Sequence, residues 1–171
     1  AGMLSQLPHQ FFAEELKAQN VPLPESGSYG VGMIFLPHDK KLRTEAVELI
    51  DDVAAKEGFS VLAWRDVPVN PECLGEMARS GMPYISQVFV QRPGTGPEEL
   101  ERRLYVLRKC IEHAAAKKKW DIDTLYIPSL SSTTIVYKGM FVAPQFEEFY
   151  HDLSDTRMVS AFALVHQRYS T

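Results

Sequence analysis

The sequence predicts an α+β protein, and three observations carry that reading. Tyr29–Ser129 reads as strand-helix-strand followed by a second strand-helix-strand, the βαββαβ plan of one sheet with helices on one face, as in ferredoxin-like folds. Pro97–Lys119 holds the longest periodic signal, with Leu100, Leu104, Leu107, Ile111 and Ala114 repeating at helical spacing. The chain closes on Met158–Thr171, which alternates as a strand does.

The elements follow in order. Ala1–Asn20 contains a short helix, with Pro8 in its first turn and Leu7, Phe11, Phe12 and Leu16 at helical spacing. Prolines 22 and 24 make the next stretch a stiff loop. Tyr29–Leu36 is a strand. Its Gly30 and Gly32 allow close backbone approach, and lying inside the strand they do not form a phosphate loop. Asp39 caps a helix over Lys40–Glu57, buried through Leu42, Ala46, Leu49, Ile50 and Val53 and ended by Gly58. Phe59–Val67 is a second strand, with Trp64 in the core and Arg65–Asp66 as a turn-side ion pair. Pro71–Arg79 is a short helix and Tyr84–Val90 a third strand. After the Arg92–Gly96 turn, Pro97 opens the long helix, acidic at its start and lysine-rich at its end as the helix dipole prefers. Asp123–Ser129 and Thr133–Lys138 are strands, and Gln145–Leu153 a short helix with Phe146, Phe149 and Tyr150 inward. Lys138–Gly139 either faces a ligand or leaves through a plain turn.

Composition narrows the function classes. The 171 residues suffice for one buried core. The net charge of -4 argues against a nucleic-acid partner, and the one basic run, Lys117–Lys119, reads as a solvated helix end. No apolar run approaches the ~20 residues of a membrane span, so no membrane partner is expected, and no charged-then-apolar leader is read. Cys73 and Cys110 cannot make a zinc site between them, so no metal site is expected, and both read as small packed groups.

On the closing strand, Phe162, Leu164, His166 and Arg168 share one face and Val159, Ala161, Ala163 and Val165 the other. Both faces begin apolar, which predicts cover on both sides. One face then turns polar. The planar fork of Arg168, with hydroxyls beside it, suits a small carboxylate.

Several segments carry a resemblance. His166–Thr171 (HQRYST) resembles the H-x-R-[YF]-S-T segment of class II, N-terminal-nucleophile glutamine amidotransferases. Ser129–Met140 (SLSSTTIVYKGM) resembles the matching stretch of one branch, the glutamate synthase large subunit. Further likenesses lie in the opening AGMLSQLPHQFF, in Gly30–Pro37 (GVGMIFLP), in Trp64–Pro68 (WRDVP) and in Glu101–Arg108 (ERRLYVLR).

The resemblance implies two stacked, mostly antiparallel sheets flanked by helices, an Ntn-hydrolase-like αββα sandwich, with residues 23–119 as a βαββαβ elaboration. It implies glutamine hydrolysis to glutamate and ammonia by an N-terminal cysteine whose own α-amino group is the base, with an Asn-Gly pair as oxyanion hole. Arg168 is assigned to the α-carboxylate of L-glutamine, with Tyr169 and Thr171 shaping that end of the pocket. The ammonia then goes to 2-oxoglutarate in the remainder of the synthase chain, where FMN and an iron–sulfur cluster reside; this segment itself implies no cofactor. Residue 1 is alanine, and the family's Cys-Gly start and Asn-Gly pair do not occur in these positions. The expectation is therefore a middle portion, residues 1–171, of an amidotransferase domain, without a catalytic nucleophile and inactive alone, from a protein of the cytoplasm or plastid stroma. Residue patterning by itself leaves open a non-catalytic small-molecule-binding or regulatory module of ferredoxin-like fold.

Overall fold

The computed structural model describes residues 1–167. Among these, seven strands form two antiparallel sheets. A four-stranded sheet runs in the order β3-β4-β2-β5, built from β2 (Gly30–Leu36), β3 (Ser60–Asp66), β4 (Tyr84–Gln91) and β5 (Tyr126–Ser131). A three-stranded sheet runs β6-β1-β7, from β1 (Gly2–Gln6), β6 (Thr134–Lys138) and β7 (Ala163–His166). Helices α1 (His9–Lys17), α2 (Lys40–Lys56), α3 (Glu76–Ser80), α4 (Pro97–Lys117) and α5 (Gln145–Phe149) complete the set, with two 3₁₀ turns at Pro71–Cys73 and His151–Ser154.

Period-2 alternation sorts the four-stranded sheet into two cores. Ile34 and Leu36 of β2, with Val88 and Val90 of β4, pack against Ala46, Leu49 and Ile50 of α2 and Leu100, Leu104, Leu107 and Ile111 of α4. Val31, Met33 and Phe89 point the other way, onto Phe11, Phe12 and Leu16 of α1 and Ile135 and Tyr137 of β6. The two sheets thus share an apolar layer, and α2 and α4 cover the far side. Strand order and antiparallel pairing of β2 to β5 match the split βαβ plan. Asp39 caps α2 by accepting from the Leu42 amide at 2.8 Å, and Gly58 closes it at φ +80°. Gly30 is required by its neighbour, because a Cβ there would lie 2.5 Å from a Leu104 methyl carbon.

The structure corrects the sequence reading in four places. The closing strand is short, Ala163–His166, and all four residues are exposed rather than covered on both faces. Among the described residues it pairs with β1 alone and lies at the sheet's edge, and its apolar residues are left exposed. Strand β1 was not anticipated, and it is the centre of that sheet. The helix from Gln145 stops at Phe149, because Tyr150 turns extended (ψ 102°) to bridge Val69. Arg65 and Asp66 do not pair, since neighbours on a strand face opposite sides. Asp66 accepts from Tyr84 and Ser86, while Arg65 points into the core.

Candidate functional site

One end of the three-stranded sheet brings Lys138, Gly2 and His166 side by side. Gly2 lies opposite Lys138 on one side and His166 on the other, so the three form a row across β6, β1 and β7 on one face. Glycine at the centre leaves room for the His166 ring. A Cβ on residue 2 would sit 2.6 Å from His166 Nε2, so the imidazole lies directly over the bare backbone. Lys138 Nζ donates to the Tyr126 hydroxyl at 3.0 Å and lies 4.9 Å from its ring centre. The row therefore carries an ammonium and an exposed imidazole beside a side-chain-free strand, an arrangement that favours a small anionic group.

The opposite face of the same sheet is anchored by a buried polar network. Asp152 accepts from both terminal nitrogens of Arg65, at 2.7 and 2.9 Å, and from the Tyr137 hydroxyl at 3.0 Å. Arg65 also donates to Gln87 at 3.0 Å and to Glu15 at 3.1 Å, and the Gln87 amide donates to the Tyr137 oxygen. Burial opposes the charge on Arg65, but Asp152 and Glu15 outweigh it, and its pKa is raised. Burial, with the Asp152 charge beside it, pushes the Tyr137 phenol well up. Nearby, Arg157 joins Glu14, Glu15 and Asp155, and its hydrogen bonds hold the Asp155 carboxyl down at about 2. The Tyr150 hydroxyl donates to the carbonyl of Lys138 at 2.8 Å and so ties the network's segment to the row. Between the sheet and residues 143–162 lies a cavity of about 780 Å³, walled by Met3, Ser5, Phe146, Leu153, Met158 and Phe162 among others.

The residues predicted to bind substrate, Arg168, Tyr169 and Thr171, lie outside the described residues. Strand β7 ends at His166, which lies in the row. The ligand-facing alternative for Lys138 places it in that row. His9, given no ligand role, bonds Tyr29 through Nδ1 at 3.0 Å. The Arg65–Asp152 network escaped sequence reasoning. Its one local signal was Gln87, an amide at an inward position of an otherwise apolar strand, and it is fully buried.

The family profile described as glutamine amidotransferases class-II matches residues 1–171. The chain belongs to this family. It is 44% identical to ferredoxin-dependent glutamate synthase 1, chloroplastic/mitochondrial, of Arabidopsis thaliana, over all of this chain and 10% of the relative. It is 43% identical to the glutamate synthase [NADPH] large chain of Bacillus subtilis, over all of this chain and 11% of the relative. Against glutamate synthase [NADH] of Schizosaccharomyces pombe the figures are 39%, all of this chain and 8%. The chain thus spans about a tenth of the length of the curated relatives it matches. A glutamine amidotransferase domain similar to glutamate synthases is also what the stacked antiparallel sheets fit.

Cys73 sits in a 3₁₀ turn and Cys110 in α4, and no group of three or more His, Cys, Asp or Glu gathers to hold a metal among the described residues. No described helix is long and apolar enough to cross a membrane.

Proposed function

We propose that residues 1–171 are part of the glutaminase unit of a glutamate synthase, which hydrolyses L-glutamine to glutamate and ammonia for reductive transfer to 2-oxoglutarate. The observation that carries the proposal is the Lys138–Gly2–His166 row, in a chain whose whole length matches the amidotransferase family. In this reading Arg168 grips the α-carboxylate of glutamine with its two-pronged guanidinium, and Tyr169 and Thr171 shape that end of the pocket. The cysteine nucleophile and the oxyanion-hole pair are supplied from outside residues 1–171, and FMN and the iron–sulfur cluster serve elsewhere in the synthase. Residues 23–119 are an elaboration on the amidotransferase core, and the protein works in the cytoplasm or plastid stroma.

The test is Arg168→Lys in the intact synthase. Losing the second charge-assisted contact, worth about 1.5–3 kcal/mol, should raise the glutamine KM roughly ten- to a hundredfold. An unchanged KM would remove Arg168 from the substrate. Residues 1–171 by themselves should release no ammonia from glutamine above a blank; release that Arg168→Ala abolishes would show a complete site within them.

A further inference from the structure

We infer that the buried Arg65–Asp152 pair is a positioning device for the glutamine site, holding in place the irregular segment that leads into β7. The inference rests on the glutaminase reading above. Between β6 and β7 the chain runs from Gly139 to Phe162 with only α5, one 3₁₀ turn and a single bridge at Tyr150 as regular structure. No sheet ladder fixes its path, and β7 itself is exposed along its length.

Phe141, Phe149 and Tyr150 bury the first part of the segment in the shared apolar layer, and polar contacts at successive points fix its register. Tyr150 reaches the Lys138 carbonyl, inside the row. Asp152 takes the Arg65 fork and the hydroxyl of Tyr137, the residue next to Lys138. Arg157 is held by Glu14 and Glu15 of α1. The Gln6 side chain accepts from the Ala161 amide at 2.8 Å, and the Gln6 amide donates to Ser160 Oγ. The segment is therefore pinned to β1 and β6 of the row, to α1, and through Arg65 to β3 of the four-stranded sheet.

The chemistry of the pin matters. Apolar contact is non-directional and would allow the segment to slide. A bidentate arginine–carboxylate pair fixes both distance and orientation, while a buried pair of this kind adds little net stability over apolar replacements. Positioning and stability can therefore be separated by experiment. Arg65 and Asp152 touch no reacting atom in this scheme and act through the lead-in to β7.

The experiment compares four variants of the intact synthase by glutamine KM, kcat and thermal midpoint. The double variant Arg65→Met/Asp152→Leu, which also leaves the buried Gln87 carbonyl and Tyr137 hydroxyl without those partners, should lower the thermal midpoint no more than Leu104→Ala does, yet raise the glutamine KM about tenfold, with a smaller change in kcat. A folded double variant with wild-type KM overturns the proposal. Should the double variant fail to fold, Arg65→Lys, which keeps the charge and loses the fork, decides instead: a raised KM supports positioning and an unchanged KM overturns it. Leu104→Ala, in the α4 core, should lower the midpoint without moving KM. If it raises KM as much as the Arg65 variants, general loosening is the cause and the proposal falls. Arg168→Lys keeps the two readings apart. A raised KM there with normal Arg65 variants sinks only the positioning role, whereas normal KM in both sinks the glutamine site itself.

Discussion

The two sheets share one apolar layer but differ in what holds the parts beyond it. The four-stranded sheet has a helix-covered face, with Leu104, Leu107, Ile111 and Ile50 closed over Ile34 and Val88. Its central pair, β2 with β4, runs over seven positions, and its placement follows from apolar burial. The three-stranded sheet pairs over four or five positions. One of its strands is exposed, and the segment feeding that strand adds carboxylate, guanidinium and amide contacts to the burial of Phe141, Phe149 and Tyr150. Apolar packing builds the scaffold, and directional contacts place the end of the sheet where chemistry is proposed.

Breaking that contrast begins with the pair itself. Asp152→Ala leaves the Arg65 charge buried without its main partner, and should cost about 3–5 kcal/mol in chemical denaturation. The Arg65→Met/Asp152→Leu replacement should recover most of that loss. In the apolar half, Leu104→Ala should cost about 2–5 kcal/mol by opening a cavity. Gly30→Ala pushes a Cβ into the same leucine and should cost about 1–3 kcal/mol. The double variant Gly30→Ala/Leu104→Ala should be less destabilised than the sum, because the new methyl enters the space that Leu104 vacates. Removing the α2 cap with Asp39→Ala should cost about 1 kcal/mol.

The smallest effect sharpens the comparison through pH. Burial raises Tyr29 to about 12 and pushes Tyr150 and Tyr137 upward too. A folded pKa above the unfolded value means the stabilisation is intact below about pH 10 and fades as pH climbs from there toward the folded values. In a spectrophotometric titration, these three phenols should ionise only as the shared apolar layer opens. Their titration near pH 10 in folded protein would show that layer to be wet.

The contrast also explains what the sequence could tell. Helix α4 was legible because its apolar repeat, its opening proline and its charge gradient all agree. Helix α2 was legible from Asp39 and Gly58, both local signals. Strand β1 was not, because five residues beginning with glycine and running into a helical pattern hold too little alternation to register. The Arg65–Asp152 pair spans 87 residues, and no local pattern announces a partner at that distance. Period-2 geometry alone, however, rules out the Arg65–Asp66 pairing, since the two side chains leave opposite faces. For the candidate site, the row could be read only in part. Lys138 and His166 sit in recognisable segments, while the pairing of both with Gly2 depends on a strand the pattern concealed.

The bare strand has a practical side. Among the described residues no strand pairs with its outer rim, which is flanked by Ala163, Leu164 and Val165, with no charge or proline among them to discourage a visitor. Prepared apart from whatever normally shields that rim, the polypeptide should clump through strand-to-strand stitching, and a lysine introduced at Leu164 should keep it in solution.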